Sequence, residues 1–184
     1  MAQSFLDQPG LSRGLRNNNP GNLVATAQKW QGELTPDRPF ARFSNVAWGL
    51  RAMITDILGD IVVDGYNTIR KLITIYAPPT ENDTAAYIRT VSSATEWGAD
   101  KIIDPTRTNI EKLIRAQLPV EIGPADATKI SSGDFSQAFS LLSTQVAGWL
   151  SKSKTPRGGA ILGMTLMTVA VFSIANLSNT KGRN

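Results

Sequence analysis

The chain has 184 residues, enough for one domain with a sizeable core plus a tail. Its net charge is +4 without a basic stripe interleaved with aromatics, which argues against a nucleic-acid partner. With neither cysteine nor histidine, it has no disulfide, no thiolate or imidazole metal ligand and no Ser-His-Asp triad; any catalysis falls to carboxylates, Lys, Tyr or hydroxyls, and no cofactor is implied.

Residues 1–12 read as a flexible lead carrying Pro9 and Gly10, with no charged and apolar secretory pattern, so synthesis on the cytoplasmic side is expected. The run from Arg13 to Asn22 is dense in turn residues, since Asn17, Asn18 and Asn19 precede Pro20-Gly21. Leu23 to Ala25 and Phe40 to Phe43, separated by Gly32, Pro36 and Pro39, predict a small hairpin. Leu50, Met53, Ile54, Ile57, Leu58 and Ile61 recur at helical spacing, with Ser44 or Asn45 as cap and Gly65 beyond the end. Ile69, Leu72, Ile73 and Tyr76 make a shorter helix stopped by Pro78 and Pro79. Asp83 opens a third helix with Tyr87, Ile88 and Val91. Asp104 as N-cap before Pro105 opens a fourth, with Ile110, Leu113 and Ile114. Phe135, Ala138, Phe139, Leu142, Val146 and Trp149 predict one last amphipathic helix. Residues 13–150 are thus expected to form a mainly α domain with a small β element.

Residues 151–157 form a basic linker, 158–177 run without a charge, and 178–184 are a polar tail. Twenty uncharged helical residues span roughly 30 Å, the thickness of a hydrocarbon core, so 158–177 is expected to be one transmembrane helix. Lys152, Lys154 and Arg157 before it and Lys181 and Arg183 after it suit anionic headgroups, but the bias is too small to set orientation. Gly159 and Gly163 offer a small-xxx-small contact for self-association.

Specific motifs go further. The run Gly14-Leu15-Arg16-Asn17-Asn18-Asn19-Pro20-Gly21-Asn22-Leu23 is followed by Trp30-Gln31-Gly32, by Phe40 and Phe43, by Gly49, Arg51 and Ala52, and by Tyr76-Ala77-Pro78-Pro79-Thr80-Glu81-Asn82-Asp83-Thr84 with Tyr87 and Val91. In this order the pattern resembles a family of phage and prophage virion-associated, murein-degrading structural proteins, over about Arg13 to Leu142. The resemblance implies a lysozyme-like, transglycosylase-like domain acting on peptidoglycan. The family ends a later helix in His-Glu-Asn-Gly; here Glu121 and Gly123 match, whereas Val120 and Ile122 replace His and Asn, and Pro119 interrupts the turn. The resemblance therefore implies Glu121 as catalytic acid in an eroded context.

The chemistry suits a chain without histidine. Glycosidic cleavage needs an acid on the leaving oxygen. A lytic transglycosylase manages with one carboxyl group, because the sugar's own 6-hydroxyl attacks and the same Glu acts as acid and then base. Asn18, Asn19 and Asn22 are candidates for sugar hydroxyls, although a hydrogen-bonded turn explains them equally; Trp30 and Tyr76 are candidates for stacking on sugar rings, with Trp48 and Tyr76 also suited to the core. Glu33 is a second carboxylate candidate, and Glu81 reads better as part of a capped turn. Together with the span, the resemblance implies a protein of a virion's internal membrane, held in the host inner membrane during assembly, with peptidoglycan, lipid and capsid or other virion membrane proteins as partners. The alternative is a non-catalytic link between capsid and membrane on a degenerate hydrolase fold.

Overall fold

The computed structural model describes residues 3–80 and 82–150. Over these the chain is mainly α-helical. The expected transmembrane segment 158–177, its linker, the Gly159–Gly163 pair and Glu81 lie outside the described residues. No helix among the described residues is long and apolar enough to cross a membrane.

The helices are α1 (Arg13–Arg16), α2 (Val46–Val62), α3 (Ile69–Tyr76), α4 (Thr84–Thr95), α5 (Arg107–Ile122), α6 (Pro124–Ala127), α7 (Ser132–Ser140) and α8 (Thr144–Leu150). Local sequence explains most of their starts. Asn45, Thr68, Asp83 and Ser131 each accept a hydrogen bond from a first-turn N–H, which relieves one of the orphan donors of a helix start. Ser131 and Asp134 complete a reciprocal capping box.

Three expectations are corrected. Thr106, not Asp104, caps α5, because its hydroxyl accepts from Asn109 N–H. Pro119 lies inside α5 and does not end it. A proline costs a helix interior about 3 kcal/mol; burial of Leu118 and Ile122 on either side offsets this and carries the helix on to Ile122. The last amphipathic run is two helices, α7 and α8, with Leu141 as C-cap of the first and the Ser143 hydroxyl accepting from Val146 N–H near the start of the second.

The small β element is reduced to isolated antiparallel bridges, Val24 with Phe40, Glu33 with Phe43 and Asp37 with Phe40. Residues 3–12, expected as a flexible lead, are tied to the domain. Val46 N–H donates to Gln3 O (3.0 Å), Phe5 N–H to Asn18 Oδ1 (2.8 Å) and Ser12 N–H to Asp126 Oδ2 (2.7 Å).

Helix α2 is the hub. It is buried on most of its circumference and packs against α7, α8, α5 and α3. Met53, Ile54, Ile57 and Leu58 from α2, Ile110, Leu113 and Ile114 from α5, and Phe135 from α7 are fully or almost fully buried. This core fixes α5, and α4 packs on both α3 and α5. The end of α5, the first turn of α4 and the asparagine turn thereby meet.

Candidate functional site around Glu121

The asparagine turn is built from the inside. Asn18 and Asn19 are both 0 % exposed. Asn19 Nδ2 donates to the carbonyls of Leu23 (2.8 Å) and Ala41 (2.9 Å), and its Oδ1 accepts from Leu23 N–H (3.0 Å). Asn18 Nδ2 donates to Phe43 O (3.0 Å) and Ser4 Oγ (3.1 Å). Two buried amides therefore satisfy strand-like backbone that has no full ladder to pair with, which is the ordinary role of a buried Asn. The structure places Asn18 and Asn19 in the core and not on a sugar-binding surface. Asn18 and Asn22 take the left-handed conformation, with φ of 51° and 49°, which Asn tolerates better than most side chains.

A charged clasp holds the turn from outside. Arg13 Nε donates to Asp37 Oδ2 (2.7 Å), and Asn17 Nδ2 donates to the same oxygen (3.0 Å). The Arg13 guanidinium and then Asn17 hold the Asp37 carboxyl down, at about 2 against an ordinary 3.8. The folded form binds this proton less well than the unfolded chain, so the stabilisation is complete above 3.8 and is lost as pH falls through about 2. Both side chains are more than a third exposed, at 38 % and 45 %, so solvent keeps the gain below about 1 kcal/mol. Asp37→Asn is expected to lower the thermal midpoint slightly at neutral pH, and the gap to wild type should close as pH is lowered from 4 towards 2. A gap independent of pH would exclude the ionised clasp as its cause.

Glu121 is the centre of the site. It lies on the last turn of α5 and is 9 % exposed. Tyr87 OH, from α4, donates to its Oε1 (2.7 Å). Asn22 Nδ2 donates to its Oε2 (3.0 Å) and also to its main-chain carbonyl (2.8 Å), one of the carbonyls a helix end leaves unpaired. Each carboxylate oxygen thus has a side-chain donor from a different segment. A carboxylate oxygen accepts more than one hydrogen bond, and these two donors fix the orientation of the group. Gly14 closes the site from behind: a Cβ there would stand 2.5 Å from Asn22 Oδ1 and 2.8 Å from Ile122 Cγ2.

Of the other expected site residues, Tyr76 is buried and its hydroxyl donates to Gly21 O, bracing the same turn. Asn22 is half-buried and engages Glu121 itself. Trp30 is half-buried; its main-chain N–H donates to Glu33 Oε2 (2.8 Å), and its buried indole Nε1 has no hydrogen-bond partner among the described residues. Glu33 is thereby a turn residue beside Trp30, and the bonds found at Glu121 come from neither. Arg51 is 7 % exposed within α2, and burial lowers its pKa. Sequence reasoning placed Tyr87 on an apolar helix face and missed it as a partner of Glu121. The signal available was a phenol hydroxyl on the buried face of α4, which needs a polar partner.

No protein-family model matches the chain. Over 89 residues it is 37 % identical to Protein P5 of Pseudoalteromonas phage PM2, a stretch that covers 46 % of this chain and 56 % of that protein. The chain is therefore similar to a bacteriophage protein over about half the length of each.

Proposed function

We propose that this chain is a membrane-anchored phage virion protein that cleaves peptidoglycan locally during genome entry, using Glu121 as the acid of a lysozyme-like domain. The observation that carries this reading is convergence. Asn22 from the asparagine run, Tyr87 from the helix after the Ala-Pro-Pro motif and Glu121 from the end of α5 are far apart in sequence and meet on one carboxyl group. The likeness to Protein P5 of a bacteriophage supports the virion setting.

The chemistry assigned to the site is balanced with one carboxyl group. Protonated Glu121 gives its proton to the glycosidic oxygen as the bond from C1 breaks. The sugar's 6-hydroxyl oxygen bonds to C1, and its proton passes to the Glu121 carboxylate. The product is an anhydro-sugar, no water is consumed, and the acid is regenerated. Asn22 and Tyr87 hold the carboxyl in one orientation through the cycle.

A zymogram of the full chain in detergent, on purified murein, tests this reading. Clearing with anhydro-muramyl ends is expected. Absence of clearing by folded protein on several murein preparations would overturn it. A second reading is then favoured by a specific observation: with both oxygens engaged and 9 % exposure, Glu121 also serves as a clasp joining the turn, α4 and α5. On that reading the protein links capsid and membrane without catalysis.

The anchor is assigned to residues 158–177, whose twenty uncharged positions match a bilayer core. Truncation after Lys154 is expected to give a folded domain soluble in plain buffer, whereas the full chain should require detergent or lipid. A full chain that is monodisperse in plain buffer and unchanged by added lipid would remove the anchor.

A further inference from the structure

Three of the four exposed large hydrophobic side chains among the described residues gather at one end of the domain: Val63 (57 % exposed), Tyr66 (38 %) and Ile102 (67 %). They sit on two loops, one after α2 and one after α4. The loops lie side by side, because Ile103 N–H donates to Asn67 O and Arg70 N–H to Ala99 O, both at 2.9 Å. Ile103 is buried in the core, and its neighbour Ile102 faces outward. Half-buried Trp97, on the second loop, carries Lys101 and Lys112 over its ring at 5.3 and 5.5 Å. The charges around this tip cancel. Arg70 pairs with Asp100, and Lys71, Lys101 and Lys112 are matched by Asp64, Glu96 and Asp104.

The tip lies at the end of the domain away from Glu121. Tyr87, in the first turn of α4, bonds Glu121, whereas the second loop follows the last turn of α4. The rise along α5 from Arg107, just past that loop, to Glu121 is roughly 20 Å. The chain reaches Leu150 near the same end as the tip. Helix α7 runs antiparallel to α5: Arg107 donates to Ser136 Oγ (3.1 Å) and stacks on Phe139, while Arg115 donates to Ser132 Oγ (3.1 Å) and stacks on Phe135. Helix α7 thus ends beside the start of α5, and α8, which follows closely, is only about 10 Å long. Residues 151–157 then separate Leu150 from the uncharged run 158–177, a reach of about 25 Å at most.

We propose that this two-loop tip is a second membrane contact, seated on the same bilayer that holds residues 158–177. The inference rests on the anchor reading and not on cleavage. Val63 and Ile102 enter the boundary between headgroups and acyl chains, and Tyr66 and Trp97, with the lysines over Trp97, sit at headgroup level, where amphipathic aromatics are enriched. Because the tip carries no net charge, apolar burial and not anionic lipid drives the contact. A single tether leaves a domain free to turn; the second contact fixes its direction and holds Glu121 roughly 20 Å from the bilayer, on the side turned away from it.

The chain has no cysteine, so one introduced thiol takes a nitroxide label at a single site. Full-length Ile102→Cys and Ala125→Cys are compared in vesicles of zwitterionic lipid; Ala125 is exposed on α6, just past the Glu121 end of α5. The label at position 102 should lose access to a water-soluble nickel chelate and gain broadening by lipid-soluble oxygen, whereas the label at position 125 should keep full access to the chelate. Val63→Asp, added to the Ile102→Cys chain, should restore chelate access at position 102 while the chain still floats with the vesicles and nearly keeps its thermal midpoint, since Val63 is exposed. Equal chelate access at the two positions, in chains that float, overturns the tip and leaves the anchor; chains that do not float overturn both. Spin–spin broadening at position 102 would seat a second copy on the tip and likewise overturn the bilayer contact.

Discussion

Glu121→Gln is expected to lower murein cleavage by about 100-fold or more while the fold persists. The amide keeps the size of the side chain and can still accept one hydrogen bond, from Tyr87 OH or Asn22 Nδ2. It cannot supply the proton that the leaving oxygen needs. One of the two donors then faces an NH2 group, so the thermal midpoint should fall by an amount equivalent to about 1–2 kcal/mol, not collapse. Asn22→Ala probes the same site from the other side. It removes the bond to the carboxylate and the bond to the helix-end carbonyl together, so it should cost both activity and stability. Equal cleavage by wild type and Glu121→Gln would remove Glu121 from the mechanism. A large loss of stability in Glu121→Gln, with no cleavage by wild type, is the outcome that favours the clasp.

The largest effect on folding is expected from Gly49→Ala. Helix α2 crosses the asparagine turn so closely that a Cβ at Gly49 would stand 1.8 Å from the carbonyl oxygen of Asn18 and 3.0 Å from Pro20 Cδ. The obstructing atom is backbone, and Asn18 is itself held by Ser4, Phe5 and Phe43, so the turn cannot yield locally. The expected loss is about 3 kcal/mol or more, at the upper end of what overpacking costs. Gly59, on the same helix, supplies the control, since a Cβ there meets nothing within 4 Å. Gly59→Ala should be neutral or stabilising by about 0.5–1 kcal/mol, because alanine restricts the unfolded chain. Denaturant midpoints of the two variants should therefore move in opposite directions or by very different amounts. Similar midpoints would contradict the close crossing.

Local chemistry made much of the helical framework legible. Caps and periodicity act within one or two turns, which is why Asn45, Asp83 and the stop at Pro78-Pro79 could be read directly. Where a local signal competed with burial, burial won: Pro119 does not end α5, because Leu118 and Ile122 are both buried in the core. The Phe135 to Trp149 run misled because its apolar period continues across a break at which Leu141 caps α7 and the Ser143 hydroxyl accepts from Val146 N–H near the start of α8. Composition alone excluded thiol and imidazole chemistry, and residue order alone carried the phage resemblance, to which the likeness to Protein P5 adds. The sequence by itself thus determined a mainly helical domain and the chemical groups on hand, while Glu121 was singled out only by what the family resemblance implies. Tertiary structure alone decided what surrounds that carboxylate. Its partners lie 99 and 34 residues away, and two asparagines of equal promise in the sequence were drawn into the core while a third reached Glu121. Hydrogen-bond partners at such separations depend on how α4, α5 and the turn pack on α2, and that packing is set by the whole core and not by any local pattern.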